Sequence, residues 1–195
     1  DGRVRISVPK YMTDDNVRLA ITEKLGWIKR KQQTLLDQPA QPKRQQYISG
    51  EFHYYFGQRC CLELIHSDDK PEVTLFTSGK LKLSVRSGTS VENKEKILNT
   101  WYRKELKKII PKLLDKWQPI IGKNVQEWGV KKMKTRWGSC NIIQRRIWLN
   151  LDLAKKPPEC LEYVLVHELT HLHERHHNER FRRFMDQFLP HWRTS

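Results

Sequence analysis

The sequence has no apolar run long enough to span a bilayer, and its first residues lack the basic-then-apolar pattern of a secretory signal. These absences predict a cytoplasmic protein with no membrane partner. Cysteine is scarce. Cys60, Cys61, Cys140 and Cys160 show no CxxC spacing. With no paired framework either, all four read as reduced, buried small hydrophobes. There is no internal repeat and no low-complexity tract. The chain begins at Asp1 rather than at a Met, so residues upstream are expected to be missing.

What is present is a long enough chain with enough apolar content for one sizeable core or two small ones: 195 residues, 37% hydrophobic. Trp, Tyr and Phe reach 10%, which argues against disorder. The net charge is +15, and it is uneven. Residues 1–100 hold 17 Lys+Arg against 12 Asp+Glu, and residues 101–195 hold 20 against 10. A surface of this sign attracts polyanions without naming one.

Two kinds of periodicity divide the chain. Arg3 to Val8 alternates apolar and polar, the mark of a half-buried strand. Thr13-Asp14-Asp15 caps a helix that carries Val17, Ile21, Leu25 and Ile28 and fades near Leu36. Gln38 to Gln46 is a polar connector. Phe52–Phe56 and Arg59–Ile65 flank Gly57-Gln58, and Val73–Phe76 and Leu81–Val85 flank residues 77–80, giving two hairpins. Residues 1–90 therefore read as an antiparallel, β-rich region with one helix. From Val91 the period becomes helical through Trp117, with Pro111 expected to kink or divide the helix. Residues 125–150 return to strands. Pro157-Pro158-Glu159 opens another helix, and Asn178 caps a last one that Pro190 ends.

The helix opened by Pro158 carries His167-Glu168-Leu169-Thr170-His171, an HExxH motif. Residues four apart lie on one helix face, so both imidazoles can meet one zinc ion. Glu168 is about 100° round the helix, beside that face. It is placed to act as general base on a zinc-activated water. A catalytic zinc needs a third protein ligand. His173 points to the wrong side, and Glu174 continues a straight stripe that cannot surround an ion. His177 follows the expected break in the helix and is the favoured third ligand. His176, Glu174 and Glu179 remain alternatives. The ten-residue step from His167 to His177 matches the third histidine of metzincins. Glu174, however, stands where metzincins have Gly, and no Met-turn is evident.

Further segments carry a wider resemblance. Arg136-Trp137-Gly138-Ser139-Cys140, Ile147-Trp148-Leu149-Asn150, Tyr163 to Leu172 and His177-Asn178-Glu179-Arg180-Phe181 resemble the YgjP-like family of metal-dependent hydrolases. The Asp1-Gly2-Arg3-Val4-Arg5 and Trp101-Tyr102-Arg103 segments are similar to it as well. The family is in turn similar to SprT-like and other small zincin peptidases. The resemblance implies an α+β fold with a zincin-like catalytic region, residues 91–195, whose HExxH helix packs on a small sheet. It implies a zinc metallopeptidase with His167, His171 and His177 as ligands, Glu168 as catalytic base, and a peptide or protein substrate.

The strand edge from Thr135 to Cys140 is the candidate for pairing with an extended substrate, through Gly138 and Ser139. A tight packing turn beside Trp137 is the competing reading. Tyr163 shares a face with His167 and reads mainly as a packing residue. Two rival functions stay open: a DNA-associated protease of SprT-like type, and a non-enzymatic polyanion-binding module whose zinc is structural. Nucleic acid is thus a possible partner on charge alone.

Overall fold

The computed structural model describes Val4, Ile6, Val8, Pro9 and residues 12–36, 45–190 and 192. The strand expected from Arg3 to Val8 and the connector from Gln38 to Gln46 fall mainly outside these residues. The chain forms two compact units, Asp1–Gln45 and Gln46–Ser195. The first contains helix α1 (Asp14–Leu36), with Asp14 and Asp15 in its first turn where the helix dipole favours acids. No helix among the described residues is long and apolar enough to cross a membrane.

The second unit is a mixed α+β structure. Strands β1 (Phe52–Tyr55), β2 (Gln58–His66), β3 (Glu72–Leu75) and β4 (Lys80–Val85) form a four-stranded sheet in the order β1-β2-β4-β3. The hairpin between β1 and β2 turns at Phe56-Gly57, one residue earlier than expected. Both residues have positive φ, 43° and 80°, as the favoured two-residue hairpin turn requires. Gly57 is also where Pro157 comes closest: a Cβ there would lie 3.1–3.3 Å from its ring and backbone.

The expectation of an antiparallel sheet is corrected. β2 and β4 pair in parallel, while β1–β2 and β3–β4 are antiparallel. Burial explains the order. Leu81, Leu83 and Val85 alternate along β4 and are fully buried, so β4 takes a central place. β3 has no fully buried residue and is left at the edge. The link from β2 to β3 therefore steps across the position that β4 fills.

Helix α2 (Val91–Ile121) follows. Ser90 caps it by accepting from Asn93 N, a contact worth about 1 kcal/mol. Gly122 closes it in the left-handed conformation. Pro111 does not divide the helix, which also contains Pro119. Buried Leu98, Tyr102, Leu106, Ile110, Leu114, Trp117 and Ile121 continue at three- and four-residue steps through both prolines. At roughly 1.5–3 kcal/mol per buried large apolar side chain, this face outweighs the one backbone hydrogen bond that each proline removes.

β5 (Glu127–Lys131), β6 (Gly138–Asn141) and β7 (Arg146–Asn150) make a second sheet, ordered β5-β7-β6. β5 is parallel to β7, and β6 is antiparallel to it. β6 is thus an edge strand. A 3-10 turn (Leu151–Lys155), α3 (Pro158–Thr170) and α4 (Glu179–Phe188) complete the chain. The buried residues from Tyr47 to Phe188 form one hydrophobic cluster.

Candidate metal centre

α3 starts with Pro158 in its first turn, and its apolar residues Leu161, Val164, Leu165, Val166 and Leu169 are buried. This packing fixes the rotation of the helix, and so fixes where His167 and Glu168 emerge. His171 is the C-terminal cap of α3 and still has helical dihedrals. Beyond it the ladder tightens. Leu172 N donates to Leu169 O, and His173 N donates to Thr170 O, both three-residue bonds. The chain then turns back to α4, whose N-cap Asn178 accepts from Phe181 N at 3.0 Å.

That reversal brings His177 to the two histidines of α3. One ring nitrogen from each of His167, His171 and His177 lies within 4.8 Å of the others. His167 Nε2 and His177 Nε2 are 2.9 Å apart. The ring of Phe181, at the start of α4, packs 4.8–4.9 Å from all three imidazoles. His171 Nδ1 lies 3.1 Å from Glu174 O. As donor to that carbonyl, Nδ1 carries the proton and leaves Nε2 free as a ligand atom.

Three of the other candidates for a third ligand are engaged elsewhere, and His176 is not part of the cluster. His173 Nε2 lies 2.7 Å from Ile121 O and its ring stacks on Phe184. The Glu174 carboxylate accepts from His176 N and faces Arg180 at 3.9 Å. Glu179 pairs with Arg183 on the exposed face of α4. Among the described residues no fourth His, Cys, Asp or Glu joins the cluster.

The cluster fits a zinc ion. Tetrahedral zinc with Zn–N bonds of about 2.0–2.1 Å places its nitrogens roughly 3.3 Å apart. The His167–His177 pair need open by only a few tenths of an ångström. The electrostatics agree. Burial, with His171 and His177 adjacent, pushes the His167 pKa down to about 4, and burial likewise lowers that of His171. Both rings are therefore neutral at pH 7, as a ligand must be.

Glu168 is only 6% exposed. Burial pushes its pKa up to about 7, against the opposing pull of Arg136. Its carboxylate lies against β6 at Gly138, where a Cβ would sit 2.5 Å from Oε1 and 2.7 Å from Cγ. The missing Cβ of Gly138 thus makes room for the Glu168 side chain. Ser139, the next residue on β6, lines the same cleft, which has a volume of ≈ 1170 Å³. Cys140 also lines it, its thiol pushed up to about 12 by burial and by Glu168, so it is not a thiolate nucleophile. Tyr163 lines the cleft too, its ring stacked on Trp192 and 5.9 Å from that of His167.

The chain matches the YgjP-like metallopeptidase domain over residues 1–195. It belongs to the YgjP-like family. Membership makes it a metal-dependent peptidase in general terms and agrees with the resemblance read from the Trp137-Gly138-Ser139-Cys140 and His177-Asn178-Glu179 segments. No curated protein matches the chain. Among solved structures it is similar to the metallopeptidase zymogen abylysin of Pyrococcus abyssi. That match has 23% identity and a TM-score of 0.39, and covers 42% of this chain and 80% of that one.

Three features of this family member were not read from its sequence. Phe181 as a common neighbour of the three imidazoles was missed, although it follows His177 by four residues. Arg136 as the cation facing Glu168 was missed, because the two are 32 positions apart in the sequence. The close fit of Gly138 to Glu168 had only the glycine itself as a sign.

Proposed function

We propose that this chain is a zinc-dependent metallopeptidase of the zincin type, hydrolysing peptide bonds in extended polypeptide segments. The observation that carries the reading is the convergence of His167, His171 and His177 beside the buried Glu168, at the floor of an open cleft. Three protein ligands are the complement of a catalytic zinc, and four that of a structural one. The ligand count therefore favours the enzyme over a binding module with structural zinc.

A zinc ion held by the three imidazoles would polarise the scissile carbonyl and make water a stronger acid. Glu168 takes the proton from the attacking water and delivers it to the leaving amine. A carboxyl with a pKa near 7 is suited to both transfers. Gly138 lets Glu168 stand against β6 without a clash. The free edge of β6, through Gly138 and Ser139, pairs with the backbone of the substrate by strand addition. The edge thus orients the scissile bond across α3.

Glu168→Gln tests the reading. Gln is nearly isosteric with Glu but cannot accept the proton. Elemental analysis should find about one zinc per chain in wild type and in Glu168→Gln alike. Cleavage of an unfolded protein should fall by about 10²–10⁴-fold in the variant. Equal cleavage rates would overturn the role of Glu168. Retention of zinc in His177→Ala, with loss in His176→Ala, would overturn the ligand set.

A further inference from the structure

Away from the metal cleft, the opposite edge of the three-stranded sheet carries a second recess of ≈ 480 Å³. It is lined by Arg103, Lys107, Trp128, Gly129, Val130 and Trp148. The register of the sheet shows how it is built. Trp148 pairs with Gly129 on one side and Ser139 on the other, so these three residues share a face. Gly138 is next to Ser139 and meets Glu168 of α3, so Trp148 lies on the face away from α3. Its ring lies over Gly129, where a Cβ would collide with the six-membered ring. The glycine lets the indole lie down on the sheet.

Cations surround that ring. Lys131 Nζ is 4.9 Å from its centroid and the Arg146 guanidinium 5.7 Å. Arg103 donates from Nε to Val130 O at 3.4 Å, which holds its guanidinium at the β5 edge. Lys107, one helical turn further along α2, is exposed beside it. Glu127 also lies here and accepts from Arg146 at 3.3 Å. Arg103 and Lys107 thus line the recess with the Trp148 indole, and Lys131 and Arg146 stand over that indole, in a chain of net charge +15.

We propose that this recess binds single-stranded nucleic acid, with an unpaired base stacked on Trp148 and phosphates held by Arg103, Lys107, Lys131 and Arg146. Charge complementarity selects a polyanion, and the flat ring selects one with aromatic faces to offer. A duplex is disfavoured, because its base faces are already stacked on one another. The base displaces the flexible Lys131 side chain from the ring, and the ammonium moves to a neighbouring phosphate. The site stands at the β5 edge while the metal cleft is bounded by β6, so a bound strand leaves the cleft open.

The test is fluorescence anisotropy of the full zinc-loaded chain with a labelled 20-nucleotide oligo-dT, titrated between 50 and 300 mM salt. Four phosphate contacts at about 0.7 each predict a log–log salt slope near −3. Arg103→Ala/Lys107→Ala should make the slope shallower by roughly 1.4. Trp148→Ala should weaken binding by about tenfold or more with little change in slope, and Trp148→Phe should restore most of it. Lys70→Ala/Lys80→Ala, which removes one charge from the β2–β3 loop and one from β4, should leave slope and affinity near wild type. Equal losses in the two double variants would overturn the site, leaving only general attraction to a basic protein. Absence of binding at 50 mM salt would also overturn it. Should Trp148→Ala fail to fold, the slopes of the two double variants and the affinity of Trp148→Phe decide.

Discussion

The two sheets of the 46–195 unit are built from similar parts and are used differently. Each contains one parallel pair bordered by antiparallel pairing. The four-stranded sheet fills its inner positions with Leu62, Leu81, Leu83 and Val85, all almost fully buried. Its glycines lie in its turns. The three-stranded sheet instead has glycines within its strands, Gly129 in β5 and Gly138 in β6. Each makes room for a side chain from elsewhere: the Trp148 ring on one face and the Glu168 carboxylate on the other. A glycine inside a strand weakens it. In this sheet that cost coincides with the two places where the side chains of our proposals, Trp148 and Glu168, lie against backbone. The first sheet builds core, and the second serves as a mounting plate.

This contrast can be broken by substitution. The largest effect on stability is expected from Leu83→Ala in the first sheet. It should cost about 2–5 kcal/mol, read as a lower urea midpoint. Activity per folded molecule should not change. Gly138→Ala should lower activity per folded molecule as well as cost about 1–3 kcal/mol of stability. Its new Cβ would collide with Glu168, and a displacement on the order of 1 Å can cost about 10²-fold in kcat. Zinc content should stay near one per chain and KM should move less than kcat. A Gly138→Ala enzyme with wild-type kcat would show that the notch at β6 has no catalytic importance.

Gly129→Ala is the control in the same sheet. Crowding against Trp148 should cost about 1–3 kcal/mol of stability, with peptidase activity per folded molecule unchanged. The smallest effect concerns His53, 2% exposed in the first sheet. Burial lowers its pKa below the ordinary 6.5, with Glu51 pulling the other way. The unfolded chain therefore takes up a proton near pH 6.5 that the folded chain refuses. The stability contributed by neutral His53 is complete above that pH and declines as pH falls from there toward the folded pKa. With zinc chelated, wild type should lose more stability between pH 7.5 and 5.5 than His53→Gln. Equal losses would mean that His53 does not contribute.

Much of this architecture was legible because it is local. The start of α1 with Asp14 and Asp15 in its first turn, the period of α2 and the opening of α3 at Pro158 depend on neighbours within a few residues. So did the meeting of His167, His171 and His177, since four residues make one helical turn and a ligand cluster requires the chain to reverse. The parallel pairing of β2 with β4 was not legible. It depends on which strand is most buried, and that is decided by the packing of the whole unit. The continuity of α2 through Pro111 has the same origin. Gly138 was marked for close approach, but nothing near it in the sequence names Glu168, 30 residues on, as the group that approaches.

Phe181 has a consequence for traffic at the metal centre. Its ring touches all three imidazoles, is 3% exposed and does not line the cleft. Among the described residues it covers one side of the histidine cluster, and the cleft is a doorway to the histidines from another side. A polypeptide lying in that doorway would shield the ion beneath it. Occupancy of the cleft should therefore slow the removal of zinc by a chelator, giving a readout of substrate binding that needs no turnover.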